Sequence, residues 1–219
     1  MFVGHTAVAL LAKRRNPRVS LGALLIATFA LDLVWPVLLL LGIEQVRIEP
    51  GATAFGPLVF VSYPWSHSLL LALGWGALAA AGARWRGLAA KDATVLGLVV
   101  VSHWVLDFVT HVPDLQVAPG VDLRVGLGLW RSIPATYVIE GALYLAAIYL
   151  YLRSTRPRDR IGTWGMLSFL VASAALWASG PWAAPPPSVT MLAWLAMGIW
   201  LFIAWGAWSA AHRETMVSG

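Results

Sequence analysis

Six stretches of this chain, at 19–42, 66–84, 92–112, 132–152, 161–180 and 190–211, are each apolar over about the 20 residues that carry an α-helix across a bilayer. Hydrocarbon offers no hydrogen-bond partner to backbone N–H and C=O groups, so such stretches fold only as helices or a closed barrel. Continuous apolar runs without strict alternation select helices. The sequence therefore predicts an all-α polytopic membrane helix bundle with six full spans. A shorter apolar segment at 2–13 is too short to cross and is predicted as a half-helix dipping into the bundle. Thirteen Trp fit an interfacial belt, since Trp35, Trp65, Trp130, Trp164 and Trp182 fall near the predicted span ends.

Basic residues orient the bundle. If the spans alternate, 12 of the 15 Lys and Arg fall on one side, and only Arg47, Arg124 and Arg131 fall on the other. Cytoplasmic loops carry the excess of positive charge, so the sequence predicts a multi-pass protein of the cell (inner) membrane with both termini cytoplasmic. Loops 43–65, 113–131 and 181–189 then face outward. The net charge of +5 is explained by this placement. Because the basic residues sit at segment ends and form no patch interleaved with exposed aromatics, nucleic acid is not a predicted partner. The run Met1 to Arg15 places its apolar residues before its basic ones, the reverse of a signal peptide, and is predicted to be retained.

The basic, Pro157-containing stretch 153–160 divides the chain into a metal-site helical core, 1–152, and two supporting helices, 153–219, within one membrane domain. Those last two spans hold no ionisable residue in their interiors. No internal repeat of the kind common in transporters is present.

Against this apolar background, residues 102–111 place His103, Asp107 and His111 at i, i+4 and i+8, on one face of a helix. Ionisable groups in hydrocarbon cost several kcal/mol each unless partnered, and a bound cation could serve all three. With no cysteine in the chain, a metal would be held by imidazole and carboxylate. At about 1.5 Å per residue from the nearest cytoplasmic basic anchor, His103, Glu140 and Asp32 come out about 18, 20 and 21 Å deep. Asp107 and His67 come out at about 24 and 25 Å, His111 at about 30 Å and His5 at about 12 Å, so that the seven form a column opening toward the outer face. Asp32 precedes Pro36, which is expected to loosen its helix. His67 follows Ser66, read as a helix N-cap. Asp114, Asp122, Arg124 and Arg131 read as solvated loop charges, and His212, beside Arg213, as a surface residue.

The ordered set His5, Asp32, Ser66-His67-Ser68 and Ser102-His103-Trp104-Val105-Leu106-Asp107 resembles the YdjM-like family of membrane-bound metal-dependent hydrolases, over roughly residues 1–145. It is more distantly similar to the ligand series of the zinc phospholipase C and nuclease group. In place of the family's Leu-Pro-Asp-x-Asp-like run this chain has Leu31-Asp32-Leu33-Val34-Trp35-Pro36, with one carboxylate. The resemblance implies His5, Asp32, His67, His103 and Asp107 as ligands of one or two divalent ions, zinc first, with manganese or iron as alternatives. Asp107, Glu140 and His111 are the expected catalytic residues, the last two as proton shuttles, and a metal-activated water is expected to cleave an ester or phosphoester of a lipid or lipid-linked substrate. The alternative from another class is a proton or divalent-cation transporter using the same residues. A non-catalytic scaffold with a structural metal is a third.

Overall fold

The structure is a computed structural model and describes residues 1–216. Helices dominate: α1 (Phe2–Arg15), α2 (Leu21–Thr28), α3 (Ala30–Leu40), α4 (Pro64–His67), α5 (Leu69–Trp85), α6 (Ala90–Thr110), α7 (Ile133–Ser154), α8 (Met166–Ser179), α9 (Val189–Ala196) and α10 (Ile199–Ala211). Three two-stranded antiparallel ribbons lie in the connections. They pair β1 (Gln45–Ile48) with β2 (Leu58–Ser62), β3 (Leu115–Gln116) with β4 (Arg124–Val125), and β5 (Thr155–Pro157) with β6 (Arg213–Thr215).

Four helical stretches are long and apolar enough to cross a membrane: Ala90–Thr110, Ile133–Ser154, Ile161–Trp182 and Val189–Ala211. A fifth is reached if α2 and α3, bent by 50° at their junction, count as one span, and α5 is an apolar helix of 17 residues. Large apolar side chains such as Val138, Leu145 and Leu201 stand exposed on the outside of these helices. In water such a surface would be costly, and a bilayer covers it.

The short α1 is the centre of the bundle, packed against α2, α6 and α7. Its face of Val3, Ala7 and Leu10 is fully buried, joining Leu24, Leu25 and Phe29. Small residues let the helices approach. A Cβ built on Gly76 of α5 would meet the Gly97 carbonyl oxygen of α6 at 2.8 Å, and one on Gly97 would meet that of Gly76 at 2.7 Å. The two backbones therefore touch directly.

The bend in the first long apolar segment lies at Phe29, between α2 and α3, and Pro36 sits inside α3. The sequence expectation had placed the irregularity at Pro36, because proline removes an N–H donor. The break is instead fixed by tertiary contacts: Phe29 is fully buried against Phe2 and Phe202, and Thr28 Oγ1 donates to the His5 carbonyl at 2.9 Å.

Candidate metal centre

α1, α3, α4 and α6 converge on one cluster of side chains. It comprises His5 from α1, Asp32 from α3, His67 from α4, and His103 and Asp107 from α6. His103 and Asp107, one turn apart, place Nε2 and Oδ2 3.0 Å from each other. His67 Nε2 lies 3.5 Å from Asp32 Oδ1 and 3.8 Å from Asp107 Oδ2, and His103 Nε2 lies 3.7 Å from Asp32 Oδ1. On the far side of the Asp107 carboxylate, Oδ1 faces His5 Nε2 at 3.2 Å and the Met1 backbone nitrogen at 3.1 Å. The His5 and His103 rings stack with centroids 3.8 Å apart. The ligand atoms fall into two groups of three, His5/His103/Asp107 and Asp32/His67/His103, each mutually within 4.8 Å. Four of the five residues are buried, whereas the Asp32 side chain is 33% exposed.

Hydrogen bonds outside the cluster set the protonation of two of its imidazoles. His103 Nδ1 lies 2.7 Å from the Thr28 carbonyl at the end of α2. A carbonyl only accepts, so Nδ1 carries the proton. Ser66 Oγ donates its one hydrogen to Glu44 Oε2 at 2.6 Å and must therefore accept from His67 Nδ1, 2.7 Å away. In neutral His67 and His103, Nε2 is then the lone-pair atom, and both Nε2 atoms face carboxylate oxygens.

Glu44 was not singled out from the sequence. It lies just before β1, is 2% exposed, and its Oε1 accepts from the Trp65 and Ser66 N–H groups at 2.9 and 2.8 Å. Its carboxylate thus fixes the start of α4, the Ser66 hydroxyl and, through it, the His67 ring. The read of Ser66 as an N-cap is corrected on the same evidence: Ser68 caps the next helix, α5, accepting from Leu71 N–H. The only signal for Glu44 was one acidic residue, beside Gln45, Arg47 and Glu49, in an outer loop 22 positions before its partner.

The predicted column is drawn together into a cluster plus two outliers. His5 stacks on His103 although it was placed about 6 Å nearer the cytoplasm by helical rise. Lys13, the anchor of that estimate, donates to the Pro17 and Val19 carbonyls of the α1–α2 connection. His111 stands apart, just beyond α6, with Nδ1 3.0 Å from Asp114 Oδ1, to which Tyr63 also donates at 2.7 Å. Asp114 is therefore a buried partner of His111, and its reading as a solvated loop charge is corrected. Burial and the adjacent Asp114 carboxylate hold the Tyr63 hydroxyl well above the usual tyrosine range. Glu140, fully buried on α7, belongs to neither group of three; its Oε1 accepts from Trp130 Nε1 at 3.4 Å.

No family model, curated protein or solved structure matches the chain.

Proposed function

We propose that this chain is a membrane-embedded, metal-dependent hydrolase that cleaves an ester or phosphoester of a lipid or lipid-linked substrate. The observation that carries the reading is the facing of lone pairs across the cluster. A neutral His103 would turn an Nε2 lone pair on the Asp107 oxygen 3.0 Å away, a repulsion relieved by a cation that both atoms hold or by a proton on Nε2. His67 meets Asp32 in the same way at 3.5 Å. Protonating the imidazoles instead would crowd positive charge, since the His103 ring lies 3.8 Å from the His5 ring and 5.2 Å from the His67 ring.

Ligand bonds of about 2.0–2.1 Å in a tetrahedral zinc site separate neighbouring donor atoms by about 3.3–3.4 Å. The four separations among His67, His103, Asp32 and Asp107 run from 3.0 to 3.8 Å and bracket that edge. Asp107 offers its two oxygens to different imidazoles, the pattern of a bridging carboxylate, so the centre suits one ion or two. The donor set favours zinc, with manganese or iron as alternatives.

A divalent cation at this centre supplies a Lewis acid for the scissile group and an acidified water. The chain's own residues do the rest. Asp32 and Asp107 carry the negative charge that draws the ion in, and Ser66 and the Thr28 carbonyl hold two imidazoles in the ligating tautomer. Because Asp114 takes the His111 Nδ1 proton in a hydrogen bond, His111 keeps a basic Nε2 and is the proton carrier one turn beyond Asp107. Burial within apolar helices makes a membrane-borne substrate the fitting class. In the accompanying topology the chain crosses the cell membrane six times, α5 included, with the Arg-rich end cytoplasmic and the cluster opening outward.

Elemental analysis of the purified full chain should find zinc, manganese or iron at one or two equivalents. Asp107→Ala should lose the metal and the hydrolysis of lipid esters or phosphoesters together. Full hydrolysis by metal-free protein would refute the reading, and cation flux in proteoliposomes stopped by Asp32→Asn would replace it with transport.

A further inference from the structure

We infer that the cavity beside Glu140 binds an alkylammonium group, independently of any metal at the His/Asp cluster. The cavity measures about 230 Å³ and is walled by the aromatic rings of Phe2, Phe55, Trp130 and Trp177, with Glu140 as its one ionisable residue. Glu140 is fully buried, and its Oε2 has no hydrogen-bond partner. Its Oε1 has only the 3.4 Å bond from Trp130. No lysine, arginine or histidine forms an ion pair with it among the described residues.

An ionised carboxylate with one oxygen bare in apolar surroundings costs several kcal/mol and otherwise takes up a proton, so a cation entering the cavity is what stabilises the charged form. The walls decide which. A hard metal ion demands several oxygen ligands, and the cavity offers one carboxylate. Aromatic faces attract a large, weakly hydrated organic cation, and rings combined with an acid recognise quaternary and primary ammonium groups. The volume lies below the range of about 300–1,000 Å³ usual for drug-sized ligands, which limits the occupant to a headgroup-sized moiety.

Position agrees with this. Phe55 lies in the β1–β2 connection and Trp130 just before α7, both at the end of the bundle away from the Arg-rich loops. Glu140 sits seven residues into α7, about 10 Å from its start at 1.5 Å per residue. The cavity also adjoins the His111 ring, 4.5 Å from Trp130 between centroids.

Both a lipid headgroup and a free amine present this chemistry. The test is a titration of the full chain, in an uncharged maltoside detergent, with choline and with its neutral isostere, in which a tert-butyl group replaces the trimethylammonium. Saturable choline binding should be at least about tenfold tighter than binding of the neutral alcohol, and Glu140→Gln should weaken it at least about tenfold. Trp177→Leu should weaken it as well. The same titration in nanodiscs separates the sources. Choline binding lost in phosphatidylcholine but kept in phosphatidylglycerol identifies a headgroup site, and equal binding in both identifies a free-amine site. Absence of saturable choline binding, equal binding of the neutral alcohol, or unchanged binding by folded Glu140→Gln protein overturns the inference. The comparison of choline with its isostere needs no variant, so it stands even if the substitutions prevent folding.

Discussion

Replacing Glu44 by Gln should detach one ligand from the cluster while leaving the fold in place. The amide oxygen of Gln can keep accepting from the Trp65 and Ser66 N–H groups, which now share Glu44 Oε1 at 2.9 and 2.8 Å. Its NH2 group then meets Ser66 Oγ where an acceptor stood at 2.6 Å. Ser66, released from the carboxylate, is free to turn its hydrogen toward His67 Nδ1, which stabilises the tautomer with the proton on Nε2, the atom that faces Asp32. Because the hydrogen bonds are remade, the stability loss should stay near 1 kcal/mol. Loss of an orienting partner of this kind costs about 10- to 100-fold in metal affinity, which is about 1.4–2.7 kcal/mol. Glu44→Ala differs in kind, since it strands two N–H groups and a hydroxyl at about 1–3 kcal/mol each and should lower the melting temperature sharply. The assays are competition with a chromophoric chelator for Zn²⁺ and nitrogen NMR of labelled histidine, which reports the His67 tautomer with or without metal. Wild-type affinity together with an unchanged Nδ1–H tautomer in Glu44→Gln would refute the relay. Absence of metal binding by the wild type would instead refute the proposed function.

Gly97→Ala should push α5 from α6, because its Cβ would meet the Gly76 carbonyl oxygen at 2.7 Å; overpacking of this sort costs about 1–3 kcal/mol. As α6 carries His103 and Asp107, chelator competition should show weaker metal binding beside a lower melting temperature, and an unchanged pair of values would show that the contact yields freely. At the Arg-rich end, backbone N–H bonding from Gly162, with the His212 side chain second, holds the Asp159 carboxyl below the usual range, and Arg156 does the same for Glu214. A carboxyl with a depressed folded pKa adds stability above its unfolded value of about 4 and loses it as pH falls further. Hydrogen exchange in the β5–β6 ribbon, corrected for intrinsic rate, should therefore rise below about pH 4, and Asp159→Asn should already exchange faster at pH 7.

Much of this architecture is readable in the linear pattern, for identifiable reasons. Apolar length marks each helix because hydrocarbon permits little else, and His103-x-x-x-Asp107 declares a shared face by helical period alone. His5 and His67 join through the ordered motif series. What escaped depends on pairing across long separations. Glu44 and Ser66 are 22 positions apart, and nothing local signals that a loop acid will cap α4. Asp114 looked solvated because it sits among loop residues, yet the chain turns back to bury it against Tyr63. The bend at Phe29 has neither Gly nor Pro to announce it, since buried aromatic contacts made by α1 and α10 hold it there. The β1–β2 ribbon hid inside a connection that hydropathy reads only as a gap.

That bend divides the candidate ligands unequally. His103 is tied to the Thr28 carbonyl on the near side of the bend, and His5 to the Thr28 hydroxyl through its own carbonyl. Asp32, the one partly exposed member, lies on the far side, on α3. A swing of α3 about Phe29 would withdraw Asp32 and, through Glu44 at its outer end, pull on Ser66 and the His67 ring, while His5, His103 and Asp107 kept their places. Such a joint would act as a hinged latch, one side of the grip lifting while the other stays closed.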